Sequence, residues 1–402
     1  MRVGMLLDAP YPTDVRIAKE VRSLVEAGIE VHLLCHQKPD EPDNDTIDGL
    51  HVHRVPIANS LYKKALLDVI NSGLGYHPVF YKALQSFVIQ QGIDVVHVHD
   101  LPLVSTALKL KRKIGVKVVG DFHENYPEAL KVWFAWRKNP IVKFKNKLFF
   151  NYERWFRFEE QAVKECDHII AVVDEMKERL MTDHQIPSEK ITVVENTEGR
   201  NFLDEAEFEE VFDKACDDFV LGYTGNVGPH RGVDTALEGL GRIDNPNIKL
   251  IIAGNINGAV KGRLQDIIEQ YNLQDRVMIT GYIPFKLFPS YMRQANVNVI
   301  PHHRNGHTDN TIPHKLFQSM MIGRPVLVST SSPLKRVVDS TRGGLVFEAG
   351  NPDDFAEKVM ALYNDREMAD KLGDNAKRAT YDGTMNWETT SRKLVKLYQD
   401  IL

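Results

Sequence analysis

The chain is poor in cysteine: Cys35, Cys166 and Cys216 are its only three, far apart along 402 residues. An odd, scattered set argues against a disulfide framework and a cysteine zinc cluster, and for free thiols in a reducing compartment. No uninterrupted apolar run reaches the roughly 18 residues of a spanning helix, so nothing reads as a membrane span. Acidic residues outnumber basic ones by 55 to 50, a net charge of −5, and this balance does not suggest a nucleic-acid partner. The first strand begins within a few residues of Met1, so a secretory leader is not expected. A cytoplasmic protein is expected, free or at the inner face of a membrane. The glycine fingerprint of dinucleotide folds is missing between Leu7 and Ile17, which weakens an NAD reading. No Asp-x-Asp pair stands out as a metal clamp, so no metal is expected at a diphosphate site.

What is present is a long alternation of strands and helices. A chain of 402 residues exceeds one typical core, and two domains are expected. Hydrophobic residues at 43% and charged residues at 26% are ordinary for a globular protein. Val3–Leu7, a helix over 15–27 closed by Gly28, and Val31–Cys35 read as a right-handed βαβ unit with a parallel sheet. His51–Val55, Asp94–Asp100, Lys117–Glu124, His168–Val173 and Lys190–Glu195 extend that first sheet, and residues 36–50 read as a polar, turn-rich connection. Two of these runs end in histidine and acidic residues, which belong near a ligand because parallel sheets bind ligands at the carboxyl ends of strands. Residues 197–217 are acidic and read as a linker. A second α/β series then follows through Phe219–Tyr223, Ile248–Ala253, Val277–Thr280, Val297–Ile300, Pro325–Val328 and Gly344–Phe347. The expected domains are 1–197 and 218–384, with a helix over 385–402 packing back on the first.

Residues 131–157 interleave Trp133, Phe134, Trp136 and other aromatics with eight basic residues and the single acid Glu153. Such a stretch suits peripheral contact with anionic lipid, or else it forms a core helix with a solvated basic face. Nucleic-acid binding is not expected from it, since no recognised module accompanies it.

Two segments of the second half carry the chemistry. Tyr223-Thr-Gly-Asn-Val-Gly-Pro-His-Arg-Gly232 leads from a strand through a glycine-rich loop to a helix, with Gly225 and Gly228 allowing close approach of a ligand. Arg231 offers the fork that suits paired phosphate oxygens. In the second segment Asn310, Thr311, His314 and Lys315 precede a helix of about three turns, which carries Leu316, Phe317, Met320 and Met321 on one face. Gly323 ends that helix and Val326–Val328 follows as a strand. Two cations and two helix N-termini could neutralise a diphosphate without a metal. His302, His303 and His307 invite a metal reading, but no partner set accompanies them, and a loop role is favoured.

The order of these motifs resembles family 4-type glycosyltransferases almost end to end. It is carried by Pro12-Thr-Asp-Val-Arg-Ile17, Val95-Val-His-Val-His-Asp100, Asp121-Phe-His-Glu124, Gly222-Tyr-Thr-Gly225 through Arg231-Gly232, Gly281-Tyr282, and Pro313 through Val326. The resemblance implies the GT-B fold, two facing Rossmann-like α/β domains with a deep cleft between them. It also implies a nucleoside-diphosphate sugar, UDP- or GDP-linked, as co-substrate, with no permanently bound cofactor, and a glycan or lipid-linked acceptor. Donor-binding positions would be Gly225, Asn226, Arg231, Tyr282, Asn310, Thr311, Lys315 and Gln318. His123 would be the catalytic histidine, with Asp14, Arg16 and Glu124 on the acceptor side; Asp14 could equally cap a helix and Arg16 be a surface charge. The family places two glutamates, with seven residues between them, where this chain has Asn310 and Gln318, so two negative charges are replaced by amides. A sugar-nucleotide epimerase of the same fold and a non-catalytic nucleotide-sugar binder are the alternative readings.

Overall fold

The computed structural model describes residues 1–12, 15–56, 75–135 and 152–401. The chain divides into two compact units: Met1–Glu195 with Ser391–Leu402, and Asn196–Thr390.

In the first unit the strands are β1 (Arg2–Pro10), β2 (Glu30–His36), β3 (Asn44–Ile47), β4 (Leu50–Val55), β5 (Val95–His99), β6 (Lys117–Phe122), β7 (His168–Ala171) and β8 (Ile191–Val193). Among the described residues they form one sheet in the order β3-β4-β2-β1-β5-β6-β7-β8, parallel except for β3, which runs antiparallel to β4. Strand β3 lies inside the stretch expected to be only turn. Its Asn44, Asp45 and Thr46 have no apolar alternation, and it forms as an edge strand by pairing with β4. The helix Val15–Glu26 returns the chain from β1 to β2 and buries Ile17, Val21 and Leu24. Strand β1 then has β2 on one side and β5 on the other. This is the switch point of the sheet, so the carboxyl ends of β5 and β6 gather beside it.

The second unit repeats the plan with β9 (Phe219–Thr224), β10 (Ile248–Ala253), β11 (Val277–Gly281), β12 (Val297–Ile300), β13 (Val326–Ser329) and β14 (Gly344–Phe347). These strands are parallel, in the order β11-β10-β9-β12-β13-β14 among the described residues. Here β9 is the switch strand, between β10 and β12. The loops that follow β9 and β12 therefore leave the sheet side by side, although about 75 residues separate them in sequence.

The acidic stretch 197–217 is not a free linker. Phe202 packs with Met292 and Met321, and Phe212 packs with Val220, Ile251 and Tyr291. Its two aromatics bury enough apolar surface to hold an otherwise charged segment on the second unit. Of the basic, aromatic stretch 131–157, residues 136–151 lie outside the described residues; at its far end Trp155 is buried while Arg154 and Arg157 are exposed. Among the described residues no helix is long and apolar enough to cross a membrane.

Charged groups also sit in the core. Glu159, on the helix Tyr152–Glu165, is buried and takes both guanidinium nitrogens of Arg179 at 2.7 Å and His184 Nε2 at 3.0 Å. Removing one member of such a set leaves the others desolvated and unpaired. Glu159→Ala is expected to cost about 3–5 kcal/mol, read in calorimetry as a lowered Tm for the first unit.

Candidate active site

In the second unit the loop after β9 folds along the chain leaving β10. Gly225 N–H donates to Ala253 O at 2.8 Å, Val227 N–H to Asn255 O at 2.8 Å, and Asn257 N–H to Val227 O at 2.9 Å. Gly225 has φ +108°, and a Cβ there would lie 3.1 Å from Lys315 Nζ. The missing side chain is what lets the lysine reach the loop. Gly232, at φ +66°, is tighter still: a Cβ would lie 1.7 Å from Pro301 O. The β9 and β12 loops are thus pressed together, and His303 N–H donates to His230 O at 3.0 Å.

Lys315 stands in the first turn of the helix His314–Met321, which has eight residues, about two turns where about three were expected. Its ammonium lies 3.8 Å over the Tyr223 ring and has no hydrogen-bond partner among the described residues. Burial first, and the Arg231 charge second, hold its pKa well below the usual lysine range. Arg231 Nη1 donates to His302 Nε2 at 3.0 Å. That bond requires a bare Nε2, and burial together with the Arg231 and Lys315 charges pushes the His302 pKa well down. His230 is pushed down to about 2 by burial, Arg231 and His307, and His307 to about 4 by burial and Arg231. Neither ring nitrogen of His230 has a hydrogen-bond partner among the described residues. Asp234, the nearby carboxylate, is taken by His303 at 2.8 Å and Arg263 at 2.9 Å. The result is two cations among neutral imidazoles with no carboxylate paired to either among the described residues. Chemically, this is a place for an anion.

Of the expected donor residues, the structure brings Gly225, Arg231 and Lys315 together. Asn226 is exposed, and its carbonyl accepts from Tyr223 Oη at 2.8 Å. Thr311 is half-buried, and Tyr282, just past β11, is 73% exposed. Both amides are committed to the protein. Asn310 Nδ2 donates to Gly306 O at 2.8 Å, and buried Gln318 Nε2 donates to Glu198 Oε2 at 2.7 Å. Glu198 is buried and also accepts Gly199 N–H at 3.0 Å. A carboxylate therefore does stand beside position 318, supplied from the stretch expected to be linker. Nothing local in the sequence marked Glu198 or His230, because each matters only through partners distant in sequence.

In the first unit Asp121, at the end of β6, collects the charged groups. Its Oδ1 takes Arg16 Nη2 at 3.0 Å, and its Oδ2 takes His123 Nε2 at 2.8 Å. Arg16 also reaches Glu20 at 2.9 Å and Val194 O at 2.9 Å. Arg16 is 2% exposed. It is therefore not a surface charge, and it serves to fix Asp121. Asp100 Oδ2 lies 3.5 Å from His123 Nδ1. Burial opposes charge on His123, but Asp100 and Asp121 outweigh it and raise the pKa to about 10. His99, by contrast, is lowered to about 3 by burial and His97. His123 is an imidazolium at neutral pH, a hydrogen-bond donor that has no lone pair with which to take a proton. His97 Nδ1 meets Tyr398 Oη at 2.5 Å, a contact invisible without the last helix. Glu20, His97, His99 and Asp121 approach one another closely enough for a metal, but the Arg16 guanidinium occupies their oxygens. Glu124 is half-buried beside the histidine, and Asp14 lies outside the described residues. Asp43-Asn44-Asp45, a literal Asp-x-Asp, is on the β3 edge, where Gln37 and Arg54 hold its carboxylates.

The two-unit fold matches that of solved GT-B structures. A sucrose-phosphate synthase from Thermosynechococcus elongatus superposes with a TM-score of 0.80 at 16% identity, covering 100% of this chain and 99% of that one. An Anabaena protein, HepE, solved in complex with UDP-glucose, superposes at 0.69 with 12% identity over 99% of each chain. Residues 14–197 match the family described as Glycosyltransferase Family 4, and residues 204–379 match Glycosyl transferases group 1. An uncharacterized glycosyltransferase of Methanocaldococcus jannaschii is 24% identical over 394 residues, 97% of this chain and 96% of its own. The chain is a glycosyltransferase of the GT-B fold, belonging to the family 4 and group 1 kind.

The Gln318–Glu198 contact makes one substitution informative. Gln318→Glu would set two carboxylates about as close as the present 2.7 Å contact, in a buried position. One of them must then hold a proton, its pKa raised above the ordinary value near 4.3. The variant should match the parent's Tm at low pH and fall increasingly below it as pH rises from about 4, as melting curves across pH would record.

Proposed function

We propose that the chain transfers a sugar from a nucleoside-diphosphate sugar to an acceptor hydroxyl, holding the donor diphosphate at Lys315 and Arg231. The observation that carries this reading is the buried Lys315 ammonium, which has no hydrogen-bond partner among the described residues and lies near a second cation, at the switch point of the second sheet. A diphosphate supplies the missing negative charge, and the two cations offset it without a metal. A UDP-sugar is the first donor to test, because the Anabaena structural relative was solved with UDP-glucose. The acceptor is taken to be a growing surface polysaccharide or a lipid-linked glycan, in keeping with the family resemblance.

In the reaction the bond from the anomeric carbon to the diphosphate oxygen breaks, and its electron pair leaves with the nucleoside diphosphate. The acceptor oxygen forms the new bond to that carbon, and its proton passes to the departing phosphate oxygen. Attack on the face the diphosphate leaves gives retention. Lys315 and Arg231 stabilise the charge that grows on the leaving group. His123, held as an imidazolium by Asp121 and Asp100, donates a hydrogen bond to the reacting sugar. Arg16 keeps Asp121 in place for that purpose.

Two measurements test the reading. Calorimetry should find UDP or GDP bound, with an affinity that falls as pH rises, because the diphosphate is held by the protonated form of a lysine whose pKa burial keeps below its usual range. Lys315→Ala should remove that pH dependence and, like Arg231→Ala, weaken binding by about tenfold or more; full turnover in Arg231→Ala would defeat the proposal. Incubation with sugar nucleotides lacking acceptor separates transfer from epimerisation, since only an epimerase converts the free donor to its isomer.

His123 gives the second test. His123→Ala should lower kcat by about 10²-fold, the scale of losing one preorganised donor. In the parent enzyme the histidine's contribution should persist through neutral pH and decline only toward pH 10, where the imidazolium deprotonates. A neutral imidazole acting as a base would instead lose activity below about pH 6.5.

A further inference from the structure

At the opposite edge of the first sheet, three strands bring a second set of polar groups together. Glu30 and His32 alternate on β2, and His51 and His53 alternate on β4, so each pair shares a face. Parallel pairing sets His32 opposite His51, and antiparallel β3 sets Asn44 opposite His53. His53 Nδ1 lies 2.8 Å from Asn44 Oδ1, which accepts its proton. His53 Nε2 is then a lone pair, and it accepts from His32 Nδ1 at 3.3 Å. A His32 ring whose one proton is spent on Nδ1 presents a bare Nε2 to Glu30 Oε1, 3.0 Å away. Two lone pairs at that distance repel unless a proton or a cation joins them.

We propose that Glu30, His32 and His51 form a site for a divalent transition-metal ion, zinc being the ion that two imidazoles and a carboxylate suit best. Each residue offers a ligand atom within 4.8 Å of the other two. Bonds of about 2.0–2.1 Å in tetrahedral geometry put ligand atoms ~3.3 Å apart, close to the 3.0 Å already present between His32 and Glu30. His51 is exposed, stacks on His32 at 4.8 Å between centroids, and has no hydrogen bond among the described residues that would prevent it from turning. His53 and Asn44 act from behind by fixing the His32 tautomer, the arrangement that orients metal-bound histidines generally. Arg2 holds the other Glu30 oxygen at 2.9 Å and leaves Oε1 for the metal. Phe87 covers His53 and His32 on their inner side, at 5.1 and 6.3 Å between ring centroids. The bound ion clips β4 to β2.

The test uses the untagged full-length chain, stripped with chelator and titrated with zinc alone. The parent should bind one zinc per chain and gain Tm as zinc rises, since an ion that binds only the folded state stabilises it. His51→Ala and Glu30→Gln should each weaken zinc affinity at least about tenfold, and His53→Gln, which acts on the tautomer, by about 10–100-fold. His51 and Glu30 are exposed, so circular dichroism should show both of those variants folded. Cobalt in place of zinc should give a visible absorption band that His51→Ala loses. Absence of zinc at one equivalent, or His51→Ala binding zinc as tightly as the parent, overturns the site and leaves a protonated His32–Glu30 pair in its place.

Discussion

The second unit turns on a buried ammonium group that no carboxylate pairs among the described residues. Placing Lys315 beside Arg231 costs desolvation and repulsion, and the surrounding structure contains that cost. Gly225 yields the space, Tyr223 offers a ring face, and His302 gives Arg231 a neutral acceptor. The histidines of this loop set fit the same constraint, because charged imidazoles would add to the repulsion while neutral ones do not. Proteins tolerate such local frustration where a ligand relieves it. The arrangement is consistent with a site completed by an anion.

The first unit solves the opposite problem. Asp121 is buried, and its negative charge is matched by Arg16 on one oxygen and His123 on the other. The pair of contacts sets the position of the imidazole and also its protonation. His97, His99 and Glu20 crowd the same carboxylate, and their differing environments push His99 down and Glu20 up to about 7. Beside one carboxylate, burial leaves His99 neutral while the two flanking aspartates keep His123 cationic.

The Gln318–Glu198 contact changes how the missing acidic positions are understood. An amide at 318 looks like a lost charge when the helix is read alone. Beside Glu198 it is a donor that a second glutamate could not replace without repulsion. Substitution at 318 and the presence of Glu198 make sense as a pair, and the pair forms because Phe202 and Phe212 fix the 197–217 stretch to the second unit.

Much of the fold was legible in the residues themselves. Strand and helix periodicity located nearly every parallel strand, since buried strands are short apolar runs and need no partner to be recognised. Edge strand β3 escaped because its polar residues are strand only through pairing with β4. The Gly-rich loop and the Lys315 helix stood out by local chemistry, and the fold brings their cations, Arg231 and Lys315, near one another. Tertiary structure alone decided which charges meet. The switch at β9 puts Arg231 next to His302, a buried helix face turns Arg16 from solvent to Asp121, and strand register aligns Glu30, His32 and His51. Protonation follows burial and neighbours within a few ångströms. A linear chain lists the charges; it does not contain those distances.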